Sequence, residues 1–273
     1  MSHRQPTDAD IRQRIEAVKN KQHQMLFKYQ YETLGRISEV AGKYMPRNDE
    51  HTIIDIEGEE FVMFIVKTAK RKGRLRPAAR PLSSTYDPWA KEILDYVESS
   101  DEYPFRLHEN DDTSKTYAMN AARKMFTGLM WPMIDYSRTE QRPYTPDMIK
   151  ATRWGDSGYE ESLVLFSDGN RSWTKHPDLV NFSVKIEERW KRATSHIVRK
   201  RATLTAVNDY LLDGVSVSYL GGWTLSNQQD GTPTALKHYM HMDLSDSKEA
   251  IPQLEKQARR YARNFLIPYE TFI

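Results

Sequence analysis

Two arginines in this chain each have an ionisable neighbour one helical turn away. Arg36 precedes Glu39 by three positions, and His196 precedes Arg199 by three positions in the pattern H-x-x-R. Residues at this spacing lie on the same face of a helix. Two guanidinium groups can hold the non-bridging oxygens of a phosphodiester with forked hydrogen bonds, so the pattern is suited to displacement at phosphorus.

Three further side chains could supply what such a displacement needs. The indole N–H of Trp223 can donate a hydrogen bond to an anion without adding charge. The phenol of Tyr239 has an ordinary pKa of about 10, so it attacks only with help from a base such as His196 or from a strongly cationic pocket. Lys67, at a strand end, could return a proton to the leaving oxygen, and Glu39 could hold Arg36 or His196 in place.

Each of these residues also has an ordinary structural interpretation. Arg36 and Glu39 could form a common intrahelical ion pair, and a lone histidine such as His196 is more often a hydrogen-bonded structural residue. Trp223 follows two glycines and could anchor a core, and Tyr239 is one of 15 tyrosines. The residues are therefore informative only as a set.

Basic residues are concentrated in two short stretches, although the whole chain is nearly neutral. The chain has 40 Lys+Arg and 38 Asp+Glu, a net charge of +2. Residues 67–80 contain seven basic and no acidic residues, and residues 189–201 contain six basic residues. Such stretches suit a polyanion, or else form a solvated basic face. The residues predicted to contact nucleic-acid phosphates are Lys70, Arg71, Lys72, Arg74, Lys200 and Arg201.

The composition excludes several classes of protein. With 38% hydrophobic and 29% charged residues among 273, the sequence is typical of a globular protein. It has no cysteine, which excludes a disulfide scaffold, a thiol nucleophile and a cysteine-bound zinc. No apolar run approaches the ~18 residues of a membrane-spanning helix, and the N-terminus lacks the apolar core of a signal peptide. The sequence predicts a cytoplasmic protein with no membrane partner.

The hydrophobic pattern predicts a mainly α-helical protein with a small antiparallel sheet near the N-terminal third. Thr7 or Asp8 is the expected cap of the first helix. The predicted helices cover residues 11–24, 25–34, 36–45, 88–100, 114–131 and 247–265, with further helices from residue 196 that break at Gly214 and at Gly221-Gly222. The predicted strands cover residues 52–58, 59–68 and 75–82, with a turn near Gly73, and a short strand at 163–166.

Five segments, in order, resemble the catalytic domain of the tyrosine recombinases, the phage-type integrases. They are the helical text TLGRISEV containing Arg36, the strand end VKT containing Lys67, the H-x-x-R helix, the run LGGW, and a short helix bearing Tyr239. The similarity extends from about Thr7 to His241. It implies the family's fold, a mainly helical domain with a β-hairpin, over residues 1–246.

The resemblance implies a site-specific recombinase or integrase, of a virus or mobile element, that cuts and rejoins double-stranded DNA through a 3′-phosphotyrosyl bond. Tyr239 would be the nucleophile, His196 the base, and Lys67, or else Lys70 or Lys72, the acid. No cofactor or metal is expected. The implied partner is DNA, on which the chain would form a homo-oligomer, a tetramer, with a monomer when free, and the tail 247–273 could be exchanged between protomers.

The chain departs from the family in two places. Tyr239 lies 16 positions after Trp223, several more than is usual, and neither Tyr210 nor Tyr219 offers a better spacing. Residues 139–190 are longer than the family needs and are expected to be an insertion. The alternatives are a type IB topoisomerase or telomere-resolvase-like enzyme with the same chemistry, or a non-catalytic DNA-binding relative, which the long spacing favours.

Overall fold

The computed structural model describes two compact units. One unit consists of Met1–Val18 and Ala121–Ser195, and the other of Lys19–Asn120 and His196–Ile273. We refer to them as unit 1 and unit 2. The described residues are 5–69, 73–106, 133–135, 152–154, 160–165, 171–174, 184–186, 193–223 and 247–272.

Helices and strands follow one another along the described chain in this order. The elements are α1 (Asp8–Glu16), α2 (Lys21–Glu32), α3 (Ile37–Val40), β1 (His51–Ile56), β2 (Glu59–Thr68), β3 (Arg74–Pro81), α4 (Ala90–Glu98), β4 (Met133–Asp135), β5 (Thr152–Trp154), β6 (Glu160–Leu165), β7 (Arg171–Thr174), β8 (Val184–Ile186), α5 (His196–Asn208), α6 (Gly214–Gly221) and α7 (Ser247–Arg259). Two 3₁₀ helices, Ala262–Phe265 and Tyr269–Phe272, follow α7. None of these helices is long and apolar enough to cross a membrane.

The first predicted helix is two helices in the structure. Thr7 caps α1 as expected, because its hydroxyl accepts from the N–H of Asp10 while the Asp10 carboxylate accepts from the N–H of Thr7. The helix ends at Glu16, not at residue 24. Asn20, a favoured capping residue, accepts a hydrogen bond from the N–H of His23 at 3.0 Å and starts α2.

The other regular elements described in unit 1 are strands. Strands β5, β6 and β7 form a three-stranded antiparallel sheet, and β4 pairs with β8. The predicted strand at residues 163–166 overlaps β6. The other strands between residues 139 and 190 were not predicted, because three- and four-residue strands are too short to show a hydrophobic period. The helix predicted at residues 114–131 lies outside the described residues.

Unit 2 contains the predicted antiparallel sheet, in the order β1-β2-β3. Glu57 and Gly58 both have positive φ angles, 58° and 86°, as the tight turn between β1 and β2 requires. Gly73, with φ 85°, precedes β3 in the second turn, as the sequence predicts. The fold prediction is therefore confirmed at the level of a helical chain with a small three-stranded antiparallel sheet.

Helix α2 forms the centre of unit 2. Every residue from Met25 to Glu32 is buried, since α2 contacts α3, α4 and α5. Tyr29 packs edge-on against Phe64 of β2, with ring centres 5.2 Å apart, and Tyr31 packs edge-on against Trp89. The predicted apolar stripe of α4, formed by Trp89, Ile93 and Val97, is buried as expected.

The segment after α2 is less helical than predicted. The helix expected over residues 36–45 is the four-residue α3, and the chain leaves it at Ala41. Gly42, a poor helix former, lies so close to Ser38 that an added Cβ would be 3.0 Å from its carbonyl oxygen.

The tail packs on the sheet of its own chain. The buried hydroxyl of Tyr261 donates to the Pro77 carbonyl at 3.0 Å and accepts from the Ala79 N–H at 3.1 Å. Arg259 donates to the carbonyl of Asp55, and α7 ends there rather than at residue 265 as predicted. Exchange of this tail between protomers stays a prediction.

Replacement of Tyr261 with Phe should weaken this packing. The buried Pro77 carbonyl and Ala79 N–H would lose their partner, so we expect a loss of about 1–3 kcal/mol in the free energy of unfolding. Urea unfolding followed by circular dichroism measures it. Tyr86→Phe, at a half-buried tyrosine, is the matched control, and equal losses in the two variants would contradict the assignment.

Candidate functional site

The candidate site is built around one buried carboxylate. Glu39 is fully buried, and its two oxygens face three guanidinium groups. Arg36 donates to Oε1 at 2.7 Å, while Arg76 and Arg199 lie 3.4 Å and 3.6 Å from Oε2. The backbone N–H groups of Arg36 and Ala69 each donate to Glu39 at 3.0 Å. We call Arg36, Glu39, Arg76 and Arg199 the arginine cluster.

The loop TLGRISEV holds Arg36 and Glu39 in this position. Thr33 ends α2 and its hydroxyl donates to the Tyr29 carbonyl at 2.6 Å. Leu34 then takes a left-handed conformation with φ 49°. An added Cβ at Gly35 would lie 2.8 Å from a Val40 methyl carbon, so this tight turn has no room for a larger residue.

Arg76 and Arg199 join the C-terminal ends of two helices. Arg199 donates to the carbonyls of Leu34, just after α2, and of Gly221, at the end of α6, each at 2.7 Å.

Arg76 donates to the carbonyls of Thr33 and Leu220. Each of these residues directly precedes one whose carbonyl accepts from Arg199. Carbonyls at a helix C-terminus have no partner within the helix and carry partial negative charge. The two arginines therefore satisfy these groups and fix α2 and α6 to each other.

The run LGGW places an indole against this cluster. The guanidinium carbon of Arg199 lies 4.4 Å from the ring centre of Trp223. The ring packs so closely on Gly221 that an added Cβ there would lie 1.9 Å from it. Gly222 has φ 66° and ends α6, and an added Cβ there would lie 2.8 Å from Arg76 Cδ. A side chain at either position would overlap Trp223 or Arg76, so both positions require glycine.

The arginine cluster has a surplus of positive charge. One carboxylate faces three guanidinium groups, which leaves two positive charges without a counterion among the described residues of the cluster. Burial, then Arg76 and Arg36, lower the pKa of Arg199 to about 9, and it remains a cation at neutral pH. Burial also lowers the pKa of Arg76, although Glu39 opposes the shift.

Glu39 stays ionised in this environment. Burial alone would raise the pKa of its carboxyl, but Arg76 and the hydrogen bonds from Arg36 and Ala69 together hold that pKa below its ordinary value. The cluster therefore consists of one carboxylate anion surrounded by three guanidinium cations. Chemically, this arrangement can bind a phosphate or another oxyanion.

The structure brings together four of the residues selected from the sequence. Arg36, Glu39 and Arg199 belong to the arginine cluster, and Trp223 packs against Arg199. His196, one turn before Arg199, is the first residue of α5 and is exposed. Tyr239 lies outside the described residues.

Lys67 lies near the end of β2, on the face of the sheet opposite Arg76. Its ammonium group pairs with the carboxylate of Glu50. Adjacent strand residues face opposite sides of a sheet, and Thr68 is the neighbour that packs near Gly222 on the cluster side. The described structure therefore does not bring Lys67 to Glu39.

The residues predicted to contact phosphates are placed in part. Lys70, Arg71 and Lys72 lie outside the described residues. Arg74 is half-buried in β3, and on α5 Lys200 is exposed and Arg201 half-buried. Of the alternative nucleophiles, Tyr210 is buried and packs edge-on against Phe265 and Phe272.

Sequence reasoning missed Arg76, which it counted only as part of a basic stretch. The available signal was the alternation in β3, where Arg74, Arg76, Ala78 and Arg80 share one face of the sheet. Arg76 and Arg80 are both 3% exposed. A basic residue repeated at period two beside small residues can thus indicate a buried arginine as well as a solvated face.

Replacement of Glu39 with Gln should destabilise unit 2 strongly. The change leaves the buried guanidinium groups of Arg76 and Arg199, and the part-buried one of Arg36, without their carboxylate, so we expect a loss of about 3–5 kcal/mol in urea unfolding. Asp95→Asn removes one partner of the exposed Lys91–Asp95 pair and should change stability by less than about 0.5 kcal/mol. Similar losses in both variants would contradict the buried ion cluster.

The carboxyl of Glu39 should make the stability of unit 2 depend on pH. Because the pKa of Glu39 is lowered on folding, its contribution is complete above the ordinary value of 4.5 and is lost as the pH falls through the folded pKa. We expect the urea midpoint of the wild type to fall steeply below about pH 4.5. The Glu39→Gln variant should show a shallower fall, and parallel curves would exclude Glu39 as the titrating group.

Replacement of Gly221 with Ala should disrupt the contact between Trp223 and α6. The added methyl would overlap the indole ring, so we expect a loss of about 1–3 kcal/mol and a shift in tryptophan fluorescence. Gly214, in the same helix, has no atom within 4 Å of an added Cβ. Gly214→Ala should therefore be neutral or stabilising by about 0.4–1 kcal/mol, and an unperturbed Gly221→Ala protein would contradict the packing.

Comparison of the chain with models of known protein families, with curated proteins and with solved structures gives no match. The function of the arginine cluster is therefore inferred from its own geometry and from the residues around it.

Proposed function

We propose that this protein cuts and rejoins DNA strands through a phosphotyrosyl intermediate, as a site-specific recombinase or integrase. The observation that carries the proposal is the convergence of Arg36, Glu39, Arg199 and Trp223 in one cluster with surplus positive charge. These residues are spread between positions 36 and 223, and their types and spacing in the sequence indicate phosphate chemistry.

A phosphodiester would relieve the main electrostatic cost of the cluster. Like charges held together in a buried site repel one another, and an anion placed beside them neutralises the repulsion. Arg36 is the member that an incoming ligand can reach first, since 19% of its side chain is exposed whereas the side chain of Arg199 is 2% exposed. The phosphate would approach from the side of Arg36.

The reaction would be a nucleophilic displacement at phosphorus. The Tyr239 oxygen forms a bond to phosphorus while the bond from phosphorus to the 5′ oxygen breaks, and the product is a 3′-phosphotyrosyl bond. The phenol proton passes to His196. A lysine returns a proton to the 5′ oxygen, which leaves as a hydroxyl. The arginines stabilise charge that develops on the non-bridging oxygens, and the reverse reaction rejoins the strand.

The lysine that returns the proton would be Lys67, Lys70 or Lys72. Lys67 would have to leave Glu50 and reach the other face of the sheet. Lys70 and Lys72 are the alternatives. The ion pair with Glu50 favours one of these two.

The basic residues around the cluster would hold the DNA duplex through its phosphates, with affinity that falls steeply as salt rises. A recombinase must bring two duplexes together, so we expect a monomer when free and a tetramer on DNA, acting in the cytoplasm on the host's DNA. A type IB topoisomerase or telomere resolvase shares the chemistry, and a topoisomerase would act as a monomer on DNA.

A non-catalytic DNA-binding protein is the second candidate. Both terminal nitrogens of Arg199 donate to backbone carbonyls, and Arg76 also donates to two carbonyls, so these arginines have structural roles as well. The long interval between Trp223 and Tyr239 favours the same candidate. Such a protein would bind DNA without forming a covalent bond to it.

The test is covalent capture of DNA. Duplexes that the protein binds are first selected from a random pool, then rebuilt with a nick or a bridging phosphorothiolate, which prevents rejoining. We expect a protein–DNA adduct that survives denaturant and high salt, and we expect Tyr239→Phe to abolish it. Gel electrophoresis under denaturing conditions measures the adduct.

Tyr210→Phe is the matched control, because Tyr210 is buried among phenylalanines and should leave the adduct unchanged. An adduct that persists in Tyr239→Phe would move the nucleophile to another residue. Absence of any adduct on DNA that the protein binds would favour the non-catalytic candidate. Oligomeric state on DNA, from light scattering, separates a recombinase from a topoisomerase.

A further inference from the structure

Two arginines of β3 are near-equivalent in position but differ in charge environment. Arg76 and Arg80 lie on the same face of the strand, four residues apart, and each is 3% exposed. Each pairs with a glutamate, Arg76 with Glu39 at 3.4 Å and Arg80 with Glu32 at 2.5 Å.

The two arginines differ in the charge of the groups around them. Arg80 has a second carboxylate, that of Asp87, at 3.9 Å, so two acids face one guanidinium group. Arg76 shares Glu39 with Arg36 and Arg199, so three guanidinium groups face one acid. Among these residues, only the Arg76 end of the strand face is short of negative charge.

Arg76 also determines where Arg199 lies. The carbonyls that accept from Arg76 belong to Thr33 and Leu220, and those that accept from Arg199 belong to the next residue in each segment, Leu34 and Gly221. Displacement of Arg76 would release both segments that hold Arg199. Arg76 thus acts on the cluster through Arg199 and Glu39.

One nitrogen of Arg76 has no hydrogen-bond partner among the described residues. Its Nε is buried and lies against Gly222, where an added Cβ would be 3.1 Å away. The hydroxyl of Tyr29, also buried, is in the same condition, and Tyr29 interacts electrostatically with Arg76. Arg80 Nη1 is also buried without a hydrogen-bond partner among the described residues, so this feature is common to both arginines and the charge balance alone distinguishes them.

We propose that Arg76 is a positioning residue of the anion site, which holds Arg199 and Glu39 in place and raises the affinity of the arginine cluster for a phosphate group. The inference rests on the proposed function only in taking the ligand to be a phosphate. Arg80, with its two carboxylates, has a structural role alone.

The experiment compares Arg76→Gln with Arg80→Gln, using inorganic phosphate as the probe. Thermal unfolding is measured as phosphate replaces chloride at constant ionic strength, because a ligand that binds only the folded state raises Tm with its concentration. Both variants should start from a lower Tm. We expect Arg76→Gln to need at least about tenfold more phosphate for the same rise in Tm. Arg80→Gln should respond as the wild type does.

Equal phosphate responses in the two variants would overturn the proposal and leave Arg76 a structural residue. A wild type whose Tm does not respond to phosphate would overturn it as well. Neither result depends on covalent capture. If an adduct forms but Tm does not respond to phosphate, the proposed function stands and this inference is wrong. If no adduct forms but phosphate raises Tm in the wild type and not in Arg76→Gln, this inference stands and the proposed function is wrong.

If Arg76→Gln does not fold, the wild type answers the same question by nuclear magnetic resonance. The Nε–H protons of Arg76 and Arg80 can both be followed in protein labelled with ¹⁵N arginine, and Arg76→Lys assigns the first signal. We expect phosphate to shift the Arg76 signal and to leave that of Arg80 in place. No shift at Arg76, or equal shifts at both residues, would contradict the proposal.

Discussion

The arrangement of unit 2 depends on the burial of one carboxylate. Glu39 is removed from water entirely, which is unfavourable for a charged group unless cations and hydrogen-bond donors replace the lost solvent. Those partners come from parts of the chain far apart in sequence, the loop after α2, the strand β3 and the helix α5. Their meeting at Glu39 connects the sheet to the helices.

Arg76 and Arg199 also form hydrogen bonds that fix their orientation. They donate to carbonyls at the ends of α2 and α6, groups that would otherwise be buried without partners. The tight turn at Gly35 and the close contacts at Gly221 and Gly222 bring these carbonyls within reach. The arginine cluster is therefore fixed from two sides by the ends of α2 and α6.

The hydrogen bonds to carbonyls do not explain the charge of the arginine cluster. The contacts to carbonyls account for the orientation of the guanidinium groups, but they do not account for three positive charges around one negative charge. The Arg80 end of the same strand shows that the fold can balance a buried arginine with two acids. The Arg76 end of the strand therefore carries more positive than negative charge among these residues.

Features determined by neighbouring residues could be predicted from the sequence, whereas those that depend on distant residues could not. The Thr7 cap, the strands β1 and β2, the turn at Gly73 and the stripe of α4 all depend on residues within a few positions. Motif spacing also indicated Arg36, Glu39, Arg199 and Trp223.

Only the tertiary structure decided that Arg76 is buried, that Lys67 pairs with Glu50, that α3 has four residues and that the tail packs on β3. These outcomes depend on which distant carboxylates and carbonyls the fold brings near, and no local pattern of residues records that.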